Sequence, residues 1–333
     1  MAGLAVAVVV ALVFDVTNGF HDSANAVAAL IATRAARPGS AVVLAATFHV
    51  LGPLLVGTAV ADTIGGVLRV PAHQVVPVAG AAVTGALAWN LLTWWQGLPS
   101  SSSHGLVGGL VGAGLLQGGI RAVRWGGVHG IRPVGVVGVL ISLVVSPLLG
   151  FGAAAAGSRA AQRALRRATS RAERTIRRGE WVTAATLAFS HGANDAQKTM
   201  GVITLLLVST GHLRVFSVPL WVKLAAAAAL TVGTSLGGWR IVHTVGSGIY
   251  RIRPIDGLVS QSASAAVILS AALVGGPVST THVVASSVVG VGSARRPRHV
   301  RWHVVTEMTL AWVVTLPAAA VLSAAALPVW RLA

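Results

Sequence analysis

The residues able to do chemistry in this chain are few, and their types suit the handling of an anion together with a cation. Asp22 lies in Gly19-Phe-His-Asp-Ser-Ala-Asn25, and Asp195 lies in Gly192-Ala-Asn-Asp-Ala-Gln-Lys198, a related pattern about half the chain later. A charged side chain at the centre of a membrane helix costs on the order of 3 kcal/mol. One such Asp is explained by a helix cap, but two in matching glycine-rich contexts point to a paired function. Asp15 has Ala188 at its counterpart, which leaves it a local structural role. Pro99-Ser-Ser-Ser-Ser-His104 recurs as Pro277-Val-Ser-Thr-Thr-His282. Ser101, Ser102 and Ser103, like Ser279, Thr280 and Thr281, each open an apolar segment. A helix N-terminus there would offer free N–H groups and the positive end of its dipole to an anion. His104 and His282 close the two clusters, placed to donate to substrate, to shuttle protons or to brace the turn. A weaker echo sets Asp62-Thr-Ile-Gly65 against His243-Thr-Val-Gly246.

Such groups need elements that hold them at membrane depth, and the composition supplies them. Hydrophobic residues make up 54% of the chain and charged residues 10%, against about a quarter charged in soluble domains; the mean hydropathy is +0.77. Only 8 carboxylates are present, so the net charge of +17 reflects missing acids. A chain this apolar is not a nucleic-acid binder. Without cysteine it holds no disulfide and no thiolate metal site. The first apolar run, Met1 to Val13, lacks a basic n-region and a small-residue cleavage site, so it is expected to stay as a first helix.

Duplicated apolar halves interrupted at matching places by Gly, Pro and small polar residues predict a secondary transporter with a midplane site. The expected fold is an all-α polytopic membrane protein of two inverted-topology repeats, with broken helices and re-entrant helical hairpins. The runs at 105–120 and 283–293 follow the Pro-Ser breaks and read as hairpin arms. Those at 181–190 and 199–211 fall short of the roughly 20 residues that cross a bilayer. Broken backbone at that depth survives only against protein or a watery cavity, so the breaks should line the site.

Residues 1–156 form the first transmembrane repeat, 157–180 a basic loop and 181–333 the second repeat. The loop carries Arg159, Arg163, Arg166, Arg167, Arg171, Arg174, Arg177 and Arg178 against Glu173, which makes it cytoplasmic by the positive-inside rule. An ordinary topology loop is the simpler reading of it; the alternative is a basic helix lying on anionic lipid, given the three- and four-residue spacing of its arginines. Arg295, Arg296, Arg298 and Arg301 are expected on the same side.

Taken together, Gly19-Phe-His-Asp-Ser-Ala-Asn-Ala26, Pro99-Ser-Ser-Ser-Ser-His104, Ser190-His-Gly-Ala-Asn-Asp-Ala-Gln-Lys198, Gly237-Gly-Trp-Arg240 and Pro277-Val-Ser-Thr-Thr-His282 resemble the inorganic phosphate transporter (PiT) family, of the bacterial low-affinity permease type. The resemblance covers all but the basic loop. It implies a multi-pass protein of the cell membrane that imports orthophosphate, or a neutral metal–phosphate complex, by symport with protons or sodium. It needs no cofactor beyond the co-transported proton, sodium ion or phosphate-bound divalent metal. It places Ser101–Ser103, Ser279, Thr280 and Thr281 around phosphate and Asp22, Asn25, Asn194 and Asp195 at the cation and substrate sites; to these the chain's own residues add His104, Lys198 and His282 for substrate, beside Asn194, and Asp62 for cation coupling. A homodimer and a PhoU-like cytoplasmic accessory protein, meeting the basic loop, are candidate partners.

Two departures from the family pattern bear on coupling. Sodium-coupled relatives carry Asn where this chain has Lys198 and Asn where it has His21. The Lys198 ammonium is expected to stand in for a sodium ion beside Asp195, which favours protons; the alternative is a Lys198 that snorkels to an interface. Gln261 occupies a position where the family usually carries Glu, and an amide cannot release a proton. Either the coupling carboxylate then falls to Asp22, Asp195 or Asp62, or coupling itself is altered in this protein. An anion channel is the next reading, although acidic pairs beside an anion path would obstruct permeation. A Ser-His-Asp hydrolase has no use for the same pattern twice, so an enzyme is not expected.

Overall fold

The protein is described here by a computed structural model covering residues 2–129, 132–166 and 170–332, without the side chains of residues 23, 24, 128, 129, 132, 133, 170, 171, 239, 240 and 247. Arg167 and the side chains of Arg171, Ser23, Trp239 and Arg240, all part of the motifs above, lie outside the described residues.

The helices in chain order are α1 (Ala2–Ala32), α2 (Pro38–Leu55), α3 (Ala59–Gly65), α4 (Ala72–Gln96), α5 (Ser102–Gly118), α6 (Gly135–Ala164), α7 (Ser170–Ser209), α8 (Leu220–Leu236), α9 (Trp239–His243), α10 (Pro254–Val274), α11 (Thr280–Arg295) and α12 (Trp302–Trp330). The one strand pairing among the described residues joins Val128–His129 to Arg132–Pro133. Among the described residues six helices, α1, α2, α4, α6, α10 and α12, are long and apolar enough to cross a membrane, so the chain is a multi-pass membrane protein. α5 and α11 are shorter and mostly buried, as arms that start inside the protein should be.

The breaks fall in only one of the two expected places. α4 ends at Gly97 and α10 at Gly275, both left-handed (φ 71° and 79°), and after four residues each chain turns into α5 or α11. Glycine suits that conformation because it has no Cβ to clash. The Asp22 and Asp195 motifs, by contrast, lie inside unbroken α1 and α7. Their glycines serve close packing. A Cβ on Gly19 would strike the Leu230 carbonyl and Gly233 of α8, and one on Gly192 would strike the His49 backbone of α2. Small residues at helix crossings let backbones approach, so a helix keeps its ladder where composition suggests a break.

The two halves are interlocked. α1 packs on α8 and α2 on α7; α12 covers α4 and α5, while α6 covers α10 and α11. The expected basic loop is mostly helix: α6 runs on to Ala164 and α7 begins at Ser170. At that end Arg177 donates to the Thr33 carbonyl at 2.7 Å and Trp181 to the Ala35 carbonyl at 3.1 Å. Gly157 and Gly179 pack against Val259 and Leu258 of α10, and Arg295 pairs with Asp256 at 3.2 Å. The end of α1 and the starts of α7 and α10 therefore share one arginine-rich face.

Candidate substrate and cation site

α1 and α7 meet at their motifs, and the first turns of α5 and α11 point into that crossing. Each turn is capped by its own sequence. The Ser101 hydroxyl accepts from the His104 backbone N–H at 3.2 Å and the Ser279 hydroxyl from that of His282 at 3.3 Å. Such caps satisfy one of the four free N–H groups of a helix start and leave others for a ligand. Ser100–Ser103 and Ser279–His282 are all buried.

Asp195 is fully enclosed and surrounded by donors. The Lys198 ammonium lies 2.6 Å from Oδ1, and His191 Nε2 lies 2.8 Å from Oδ2. The Thr280 hydroxyl and the Asn18 amide donate to the same Oδ2 at 3.2 and 3.4 Å. Lys198 is itself 0% exposed, which rules out snorkelling. Behind His191 the chain of polar groups continues: its Nδ1 lies 2.8 Å from His49 Nε2, and His49 Nδ1 lies 2.8 Å from the Thr234 hydroxyl.

Asp22 has gentler company. The Thr281 hydroxyl donates to its Oδ1 at 2.7 Å, and the Asn25 amide donates to Thr281 at 3.1 Å. His21 Nδ1 lies 3.3 Å from the same oxygen, while His21 Nε2 reaches Ser100 at 3.3 Å and Thr93 at 3.4 Å. His191 Nε2 stands 3.9 Å from Oδ2, bridging the two carboxylates. Asn194 donates to the Gly276 carbonyl at 3.2 Å and so ties α7 to the second hairpin turn.

Four buried oxygens at this crossing receive no hydrogen bond: Asn18 Oδ1, Asp22 Oδ2, Asn25 Oδ1 and Asn194 Oδ1. Unsatisfied buried acceptors are rare enough to need a reason, and a bound cation would supply one. Hydroxyls and free amides on one side and bare oxygens on the other could hold an anion and a cation together.

The hairpin tips also meet through rings. His104 and His282 lie 4.7 Å apart, His282 stacks on Trp312 at 3.9 Å, and Trp312 donates to the Pro99 carbonyl at 3.0 Å. His104 Nδ1 also lies 2.8 Å from the Ser101 hydroxyl. Both histidines thus brace the turns in this arrangement.

Of the expected site residues, Asp62 alone lies apart: it is exposed on α3. Its echo reflects the duplication, and a matching position in sequence does not carry it to the crossing. Sequence reasoning missed Asn18 and His49 and gave His191 no role. Asn18 was findable as the counterpart of His191, but His49 sits in no repeated motif. Asp15, expected to be merely local, is buried within electrostatic reach of Asp195 and Lys198, with the Thr199 and Asn18 side chains beside its carboxylate.

Known proteins carry the same plan. A model of the phosphate transporter family matches residues 18–169 and 156–323. A probable low-affinity inorganic phosphate transporter of Rhizobium meliloti is 43% identical over 319 residues, 95% of this chain and 93% of that one. One from Bacillus subtilis is 38% identical over 323 residues, covering 96% and 94%. A solved structure described as the sodium-dependent phosphate transporter superposes with a TM-score of 0.87 over 100% of both chains at 24% identity, a likeness of fold.

Proposed function

The chain belongs to the phosphate transporter family, and on that premise we propose that it imports inorganic phosphate by symport, with protons as the coupling ion. Phosphate sits between the first turns of α5 and α11, held by the hydroxyls and free amides of Ser101–Ser103 and Ser279–Thr281 and reached by Asn194, Lys198, His104 and His282. Asp22, Asn25 and Asp195 form the cation side. The observation that carries proton coupling is the Lys198 ammonium, fully buried 2.6 Å from Asp195. A tethered cation offsets charge that otherwise calls for a bound metal ion, since an unpaired buried charge is costly.

The histidine chain supports the same reading. The Thr234 hydroxyl is 2.9 Å from the Leu230 carbonyl as well as 2.8 Å from His49. If it donates to Leu230, His49 Nδ1–H donates to it, His49 Nε2 accepts from His191, and His191 holds two protons while donating to Asp195. If it donates to His49 Nδ1 instead, His49 donates to His191 and the chain holds one proton fewer. The chain can thus load or unload one proton by turning a hydroxyl and moving protons along hydrogen bonds.

Inversion of the two repeats accounts for α1 ending and α7 beginning at one face. The arginine excess makes that face cytoplasmic, and it is where a PhoU-like accessory protein would meet the chain. A neutral metal–phosphate complex is an equivalent cargo for a site with donors and acceptors side by side. A second reading, sodium coupling, draws on the bare Oδ2 of Asp22 and the bare amide oxygens of Asn18, Asn25 and Asn194.

Radiolabelled phosphate uptake into proteoliposomes, with an imposed proton gradient and no sodium, tests the proposal. Uptake that follows the gradient is expected. Uptake that appears only with sodium favours the second reading, and none under either condition removes phosphate symport.

A further inference from the structure

Away from the crossing, one carboxyl is buried that phosphate binding does not use. Glu180 is 0% exposed, and neither of its oxygens has a hydrogen-bond partner among the described residues. It lies at the arginine-rich face, one residue before Trp181, where the apolar stretch of α7 begins.

Its neighbours leave it unpaired. On α7, the Arg177 guanidinium stands one turn away but is committed elsewhere, to exposed Glu173 at 2.9 Å and to the Thr33 carbonyl at 2.7 Å. From the turn that follows α1 the uncharged Thr33 side chain faces the carboxyl. From α10 it is Gly257, where a Cβ would collide with Glu180 Oε1. The preceding α10 residue, Asp256, is held by Arg295 and by the Arg253 backbone N–H. Burial pushes the Glu180 carboxyl up to about 8, against the opposing pull of Thr33 and Arg177.

Glu180 also sits on the buried face of α7 that leads to the site. That face continues through Ala184 and Leu187 to His191, Asp195 and Lys198, about 16 Å from Glu180 to His191 at the helical rise. Ala26, Leu30, Ala184, Leu187 and Ile268 pack between them as an apolar plug. Beside the plug Thr183 donates to Gln261 at 2.7 Å, and Gln261 Nε2 and Ser264 Oγ are unpartnered.

We propose that Glu180 is a proton-carrying residue of a gate at the arginine-rich face, protonated while α1, α7 and α10 close around it. When the helices part, its O–H bond breaks and the proton passes to entering water. The carboxylate then draws Arg177 from the Thr33 carbonyl, which holds α1 and α7 apart. A buried neutral acid and a nearby arginine bonded across the seam are the two halves of such a switch. The proposal rests on the proton-coupled reading above and extends it to the exit.

The test compares wild type with Glu180→Gln in proteoliposomes by two measurements: net phosphate uptake driven by a proton gradient at several lumenal pH values, and phosphate–phosphate exchange at equal pH. Glu180→Gln should exchange within about twofold of wild type, yet lose about tenfold or more of net uptake together with its dependence on lumenal pH. Net uptake with an unchanged lumenal pH profile overturns the proposal. If Glu180→Gln loses exchange as well, Arg177→Gln decides. Intact exchange with a shifted pH profile supports the switch, and an unshifted profile refutes it. Absence of exchange in wild type would instead strike the transport reading.

Discussion

Asp22 and Asp195 occupy equivalent places in the two halves but live in different electrostatic worlds. Asp195 is held by an ammonium, an imidazole, a hydroxyl and an amide; Asp22 leans on one hydroxyl and a histidine and keeps one oxygen bare. The hairpin tips differ too. Thr280 and Thr281 of α11 both donate to carboxylates, whereas Ser103 of α5 donates to the Val278 carbonyl. Asp195 thus has a lysine ammonium beside it, and Asp22 has no such partner among the described residues. Because the halves interlock, each carboxylate is also served by the opposite half: Asp22 by Thr281, Asp195 by Asn18.

This contrast ranks the expected effects of substitution. Asp195→Asn should be the most damaging, since it strands the buried Lys198 ammonium without its counter-charge. We expect phosphate uptake to fall below detection and stability to drop by about 3–5 kcal/mol, read as a lowered Tm of the purified protein. Asp22→Asn should abolish uptake nearly as well but cost only about 1 kcal/mol of stability, because an amide oxygen still accepts from Thr281. Equal Tm losses in the two variants would erase the difference between the halves. Thr281→Ala, which removes the donor to Asp22, should raise the KM for phosphate about fivefold to tenfold, with Ser103→Ala having the smaller effect of the pair. Asp62→Asn, outside the crossing, should leave uptake within about twofold of wild type; a loss as large as that of Asp22→Asn would show that α3 joins the site in another conformation.

Much of the site was legible in the sequence because function constrained residue types locally. The hydroxyl clusters announced helix starts, and both caps fall on Ser101 and Ser279. The paired aspartates were visible because a carboxylate in an apolar run is expensive. What was not legible depends on which helices touch. His49 belongs to the site only because α2 crosses α7 where Gly52 and Gly192 allow close approach. Gly192, like Gly19, reads as a helix break when composition is taken without its packing partner. The basic stretch read as a loop because charge signals solvent, and a helix that extends beyond the membrane carries the same charge. Glu180 escaped notice because it follows a run of arginines in sequence, yet Arg177, one turn away, bonds to Glu173 and to the Thr33 carbonyl instead.

The role of Lys198 is where the difference between the halves is tested most directly. The measurement is the sodium dependence of phosphate uptake by wild type and by Lys198→Asn, at fixed pH with choline as the replacement cation. The prediction is uptake by wild type that does not respond to sodium, and impaired uptake by Lys198→Asn that sodium restores at least in part. Wild-type uptake that disappears when sodium is withdrawn would contradict it.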